Sequence, residues 1–199
     1  EMFFDKKKTT VSGNPVRNAI AKISVNRSEA IAQFNLLADK KIVLVVGGSL
    51  GAKSINEVIE NHIDFFVKHD LQLIWQTGKP FFERAKKSCE GMSNVFVSDF
   101  IAQMENAYAA ADLVISRSGA MAISELCIVA KPVIFVPFPH AAEDHQKANA
   151  MKLVEKEAAL IVEDKNAMSE LMNIVKSLID DIQLQEKLKV NIKKLSVLN

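Results

Sequence analysis

Short runs of aliphatic and β-branched residues alternate along this chain with longer segments whose apolar positions recur every three or four residues. The run Ile42-Val43-Leu44-Val45-Val46 is apolar throughout, the pattern of a parallel strand buried on both faces rather than of a half-exposed one. It enters Gly47-Gly48-Ser49-Leu50-Gly51, and a helical pattern follows over about 52–68. The cycle repeats. Further strands are predicted at 71–76, 94–98, 112–116, 132–136 and 159–162, and helices over about 80–88, 101–110, 119–129, 144–157, 167–179 and 182–195. Parallel strands need crossover connections, and right-handed crossovers put helices on both faces. The fold class is therefore α/β, a Rossmann-like doubly wound parallel sheet.

Residues 1–40 break the rhythm. A lone strand over 9–12 leads into Gly13-Asn14-Pro15, and a short polar helix runs on to 38. A strand without partners in its own segment points to a neighbouring domain. We read 1–40 as the tail of a preceding domain plus a linker, 41–180 as the Rossmann-like domain and 181–199 as a terminal helix. There are no internal repeats or low-complexity tracts.

Composition narrows the class. At 199 residues with 49% hydrophobic and 25% charged side chains, the chain can bury a full core and has no disorder signature. A formal charge of +1 supplies no field for nucleic acid, so no nucleic-acid partner is expected. Cys89 and Cys127 stand far apart in no metal-type spacing, which suits a reducing compartment. No stretch approaches the roughly 20 apolar residues of a membrane span. The basic cluster Lys6-Lys7-Lys8 follows a short apolar run, the reverse of a signal peptide. A first residue of Glu rather than Met points to a piece of a longer chain.

In open parallel sheets ligands bind beyond the carboxyl ends of the strands, and four loops there carry unusual residues. Gly47-Gly48-Ser49-Leu50-Gly51-Ala52 joins strand to helix; its glycines permit close backbone approach, and the helix start offers N–H groups to an anion. A tight turn with no ligand is the alternative, and the loop is neither a full G-x-G-x-x-G fingerprint nor a Walker A loop. Ser116-Arg117-Ser118-Gly119-Ala120 repeats the arrangement, with Glu125 further along the helix. A carboxylate there can accept both hydroxyls of a ribose; a solvated or capping Glu is the plain alternative.

The third loop runs from Pro137-Phe138-Pro139-His140 through Glu143-Asp144-His145-Gln146 to Asn149. Gln146 and Asn149 share a helix face, and amides of this kind suit neutral sugar hydroxyls. The alternative is an Asp144 N-cap on a polar surface helix. A metal site at His140, Glu143, Asp144 and His145 matches no standard zinc or manganese spacing. No metal or cofactor is expected. Asp99-Phe100-Ile101 could hold a flat base or simply pack, and Trp75 is expected in the core.

In order and spacing, Gly47-Gly48-Ser49-x-Gly51-Ala52, Asp99-Phe100-Ile101, Ser116-Arg117-Ser118-Gly119-Ala120 with Glu125, Pro137-x-Pro139-His140 and Asp144-His145-Gln146-x-x-Asn149-Ala150 resemble the donor domain of the MurG family. Gly13-Asn14-Pro15-Val16-Arg17 is similar to the closing motif of that family's N-terminal domain. The resemblance covers nearly the whole chain and implies the C-terminal domain of a GT-B glycosyltransferase, in which two Rossmann-like domains face a cleft. It implies transfer of N-acetylglucosamine from UDP-N-acetylglucosamine to the C4 hydroxyl of N-acetylmuramoyl-peptide on undecaprenyl diphosphate, in peptidoglycan synthesis.

By position, the resemblance sets Gly48, Ser49 and Gly51 near the diphosphate, Ile101 against uracil through its backbone, and Glu125 on the ribose hydroxyls. Ser118, Gly119, Ala120 and Met121 would line diphosphate and sugar. His145, Gln146 and Asn149 would bind the N-acetylglucosamine, with Arg17 approaching from the interdomain side. Two positions depart from the family pattern: Ala122 stands where Thr is common, and His145 where some members have Gln. The acceptor site and general base would belong to the N-terminal domain, so no catalytic residue is expected here and the chain alone should not turn over. Residues 181–199 would cross back to that domain and expose an apolar face. The enzyme would sit peripherally on the cytoplasmic face of the bacterial inner membrane. Two other classes fit less well: another GT-B lipid glycosyltransferase, and a non-catalytic donor-binding subunit of a split transferase. An NAD-type dehydrogenase lacks the fingerprint.

Overall fold

The computed structural model describes residues 16–141 and 144–196. The strand expected over 9–12, the Gly13-Asn14-Pro15 motif and Glu143 lie outside the described residues. Six strands form one all-parallel sheet: β1 (Lys41–Val46), β2 (Leu71–Gln76), β3 (Val95–Ser98), β4 (Leu113–Ser116), β5 (Val133–Phe135) and β6 (Leu160–Ile161), in the order β3-β2-β1-β4-β5-β6. Order reverses between β1 and β4, which pair from Val43 with Leu113 to Val46 with Ser116.

Alternation along each strand divides the core into two layers. Ile42, Leu44 and Val46 of β1 face one side, with Val114 of β4 and Val133 and Phe135 of β5. Val43 and Val45 face the other, with Leu73, Trp75, Leu113, Ile115 and Ile134. Both faces are covered, which is why the strands read as continuous apolar runs.

On the first face lie α1 (Asn18–Ala21), α2 (Arg27–Ala32), α6 (Met104–Ala110), α7 (Ala120–Val129) and α8 (His145–Val154), through residues such as Ile20, Ile31, Ala107, Leu126 and Leu153. The other carries α3 (Lys53–Asn61), α4 (Asp64–Lys68), α5 (Phe82–Ser88) and α9 (Ala167–Asp180), through Ile55, Ile59, Phe66, Ala85, Leu171 and Val175. A final helix, α10 (Ile182–Lys193), places Leu188 in one layer and Ile192 in the other.

Three departures from the sequence reading have physical reasons. The helix expected over 52–68 is two helices, because His62 closes α3 and the chain reorients to bury Phe66 beside β2. Residues 16–36, within the 1–40 segment read as the tail of a preceding domain plus a linker, bury Ile20, Ala30, Ile31, Phe34 and Leu36 in the core layer on one face of the sheet. Arg27 anchors them by donating to Asp112 (2.8 Å) at the foot of β4. The apolar face expected to be exposed on the last helix is instead buried at Leu188 and Ile192, and the buried amide of Gln185 caps the carbonyls of Leu178 and Ile179.

Candidate functional site

A cleft of about 610 Å³ opens at the carboxyl ends of the strands, over the point where the order reverses. Its floor is the turn after β1: Gly47, Gly48, Ser49 and Gly51 line it. Gly48 and Gly51 have φ of +83° and +77°, the left-handed region that side chains disfavour. A Cβ on Gly51 would meet the Thr77 carbonyl oxygen at 1.9 Å, and one on Gly78 would meet the Gly51 nitrogen at 2.4 Å. The two glycines therefore let the loops after β1 and β2 lie against each other, which holds the turn into α3 at the floor of the cleft.

The opposite wall is the start of α7. Gly119, at the N-cap position of α7, lines the cleft with Ala120, Met121 and Ala122. The start of α7, with its partial positive charge, and the glycine turn that leads into α3 thus face one space. Glu125, one turn further along α7, brings a carboxylate into the same cleft at 7% exposure. It accepts from the Tyr108 hydroxyl (3.2 Å) and from Arg17 through Nε (3.1 Å) and Nη2 (3.4 Å). Tyr108 is buried, and burial, reinforced by the Glu125 charge, pushes its phenol up, so it stays protonated and donates to the carboxylate.

A third side comes from the turn after β3. Phe100, Ile101 and Met104 line it, and the buried side chain of Gln76 ties it to the glycine loop. Gln76 Oε1 accepts from the Ile101 N–H (2.9 Å) while Nε2 donates to the Gly48 carbonyl (3.1 Å). The Ile101 N–H is thereby engaged within the protein.

The fourth side is Phe138 with Gln146 of α8. Gln146 Oε1 accepts from the backbone N–H of Phe138 (3.1 Å) and of Ser118 (3.3 Å). This fixes the amide with its NH₂ as the available end.

Of the thirteen expected residues, Arg17, Gly48, Ser49, Gly51, Ile101, Gly119, Ala120, Met121, Glu125 and Gln146 line one cleft. Ser118 does not: it is fully buried, and its hydroxyl donates to the Gln146 carbonyl (2.8 Å). His145 is exposed and Asn149 half-buried on α8, both outside the cleft wall. Asp144 sits at the N-cap position of α8 in a left-handed conformation without a side-chain cap bond. Among the described residues no group of three or more His, Cys, Asp or Glu could hold a metal ion. Trp75 is fully buried, its indole N–H donating to Asn56 (2.9 Å).

Sequence reasoning missed Gln76 and Tyr108, and gave Arg117 and Phe138 no role of their own within their motifs. Gln76 left one trace, a polar residue closing an apolar strand, and Tyr108 none, since its partner Glu125 lies seventeen positions away.

A helix start, a glycine turn, a buried carboxylate and an apolar wall at a switch point are the features with which open parallel sheets bind anionic nucleotide derivatives. Comparison with known proteins gives this site its relatives. Residues 42–197 match the model of the glycosyltransferase family 28 C-terminal domain. The chain belongs to that family. It is 47% identical over 199 residues to the UDP-N-acetylglucosamine--N-acetylmuramyl-(pentapeptide) pyrophosphoryl-undecaprenol N-acetylglucosamine transferase of Flavobacterium psychrophilum, covering 100% of this chain and 54% of the relative. The protein of the same name from Parabacteroides distasonis is 46% identical over 183 residues, covering 91% of this chain and 50% of the relative.

The crystal structure of Acinetobacter baumannii MurG superposes with a TM-score of 0.70 at 29% identity, covering 95% of this chain and 54% of that one. The chain thus falls within the MurG branch of the family and has the C-terminal fold of a GT-B glycosyltransferase. It spans about half the length of the relatives it matches.

Proposed function

We propose that this chain is the donor-binding half of an inverting transferase that moves N-acetylglucosamine from UDP-N-acetylglucosamine to the C4 hydroxyl of an undecaprenyl-diphosphate-linked N-acetylmuramoyl-peptide. The observation that carries the reading is the Glu125 carboxylate buried in a cleft between the glycine turn after β1 and the start of α7. The names of the relatives supply the sugar and the acceptor.

In this reading the uracil lies against Phe100 and Ile101, and the Ile101 carbonyl accepts the imide N–H. Glu125 accepts the ribose hydroxyls as a bidentate acceptor. The diphosphate lies between the Gly48-Ser49-Gly51 turn and the start of α7 at Gly119, Ala120 and Met121. The NH₂ of Gln146 donates to a sugar hydroxyl, and Asn149 and His145 meet the sugar where it projects from the cleft. Ser118 serves the sugar subsite through Gln146.

The acceptor hydroxyl attacks the anomeric carbon, the bond from that carbon to the β-phosphate oxygen breaks, and UDP leaves. Negative charge grows on the leaving diphosphate, where the helix starts, Ser49 and Arg17 stabilise it. In this reading the carboxylate lining the cleft, Glu125, is engaged by Tyr108 and the ribose hydroxyls, so the proton of the attacking hydroxyl goes to a base on the acceptor side. That side is the N-terminal domain of the full enzyme, and the chain alone does not turn over.

Among the described residues no helix is long and apolar enough to cross a membrane. A lipid-linked acceptor then implies peripheral attachment at the cytoplasmic face of the inner membrane.

Calorimetric titration with UDP-N-acetylglucosamine, UDP-glucose and UDP tests the reading. All three are expected to bind through the nucleotide, the first most tightly. Glu125→Ala should weaken each by about tenfold or more. Equal binding by the variant would remove the ribose assignment.

A further inference from the structure

Glu125 is not an open acceptor. Tyr108 takes one bond to Oε2, while Arg17 reaches both oxygens through Nε and Nη2. A vicinal diol needs the two oxygens together, so one partner must leave. The two partners differ in how far they can move. Tyr108 is 2% exposed, in the core layer beside Ala107 and Val114. The Arg17 side chain is 47% exposed against 9% for that of Glu125, and Arg17 sits just ahead of the short helix α1.

We propose that Arg17 is an exchangeable cap on the Glu125 carboxylate, displaced by the ribose hydroxyls and taken up by the diphosphate of the same ligand. The exchange makes the cleft select nucleoside diphosphates over bare nucleosides. This rests on the reading of Glu125 as the ribose acceptor.

The balance of partners favours the exchange only when phosphate arrives. On displacement, the buried carboxylate keeps the Tyr108 bond and gains two hydroxyl donors, so it is not left unsatisfied. The freed guanidinium stays in the cleft, which it lines together with the Gly48-Ser49 turn and the start of α7. A diphosphate seated between those elements offers it a forked, charge-assisted partner. Uridine offers none. Its ribose must break the ion pair without a replacement for Arg17, and its apparent affinity falls by the fraction of molecules in which Glu125 is uncovered.

The test titrates the full 199-residue chain with uridine and with UDP, followed by ligand-observed NMR, for the unaltered protein, Arg17→Ala, Arg17→Lys and Glu125→Gln. Arg17→Ala should bind uridine about fivefold more tightly, since a half-exposed pair no longer competes. It should bind UDP about tenfold more weakly, since the phosphate loses its cation. The two changes have opposite signs, which a general loosening of the site would not produce. Arg17→Lys keeps the charge without the fork and should fall between on both ligands. Uridine binding that is unchanged or weaker in Arg17→Ala overturns the exchange. UDP binding that is indifferent to Glu125→Gln overturns instead the ribose reading beneath it, so the two failures are told apart.

Discussion

Arg117 lines the cleft where four segments of the chain meet. Its Nη1 donates to the carbonyls of Val136 (2.9 Å) and Pro137 (3.0 Å) and to Asp164, and its Nη2 donates to Ser54 (2.9 Å). Ser54 in turn donates to Asp164, and the guanidinium lies over the Phe138 ring. One planar fork thus joins the turn after β4 to the loops after β5 and β6 and to α3. Lysine cannot copy it, because a single ammonium cannot meet acceptors on both arms of the fork. Arg117→Lys should therefore cost about 2–3 kcal/mol, the penalty for leaving buried acceptors and Asp164 short of donors. Urea unfolding at neutral pH measures it; a loss below about 0.5 kcal/mol would show that the fork is dispensable. Sequence reasoning quoted Arg117 within its motif but gave it no role. Its partners Asp164 and Ser54 are 47 and 63 positions away, and no local pattern links them. Glu125 was legible because its helix and its offset from Gly119 are local; its partners Arg17 and Tyr108 were not.

Among elements, the loops after β1 and β2 show how much a glycine can carry. Gly51 lies in the left-handed region and also against the Thr77 carbonyl, whereas Gly91 has φ of +80° and open space within 4 Å of where a methyl group would stand. The pair separates two costs. Gly91→Ala should destabilise by about 1 kcal/mol, the backbone term alone. Gly51→Ala meets that term and a backbone clash and should exceed about 3 kcal/mol, with loss of UDP binding as the start of α3 is pushed aside. Thermal unfolding of the two variants side by side checks the contrast, and similar losses would remove the close approach as the reason for Gly51. The glycine loop was legible as a turn from its composition. Its partner Gly78 was not, because the approach depends on β1 and β2 being neighbours in register, Lys41 beside Leu71 through Val46 beside Gln76. Strand positions were legible from apolar runs, while the break between α3 and α4 carries no Gly or Pro to mark it.

At the scale of the molecule, the alternation of elements implied a doubly wound sheet, but the order that sets the cleft between β1 and β4 is a property of long-range pairing. The contribution of residues 16–36 to the core was hidden for the same reason: only the packed sheet shows what their apolar positions cover. That close packing has a consequence for alkaline stability. Burial pushes the Cys127 thiol from an ordinary 9.0 up to about 11, and burial raises Cys89 and Tyr108 as well. A raised acid group stabilises the fold below its unfolded value and loses that contribution as pH climbs through its folded value. Between pH 9 and 11 the unfolded chain has released the Cys127 proton and the folded one has not, so stability falls as pH rises. Lys131 acts in the opposite sense. Burial lowers its ammonium, held by the carbonyls of Ala109 and Ala111, so it adds stability as pH approaches the ordinary lysine value. Among the buried groups three oppose one, and the net descent should begin near pH 9. Cys127→Ala removes the thiol whose window spans pH 9 to 11 and should make the descent shallower, whatever it costs in packing at neutral pH. Urea midpoints measured at half-unit steps from pH 8 to about 11 read the slope directly; equal slopes for the two proteins would mean that the thiol is solvated in the fold.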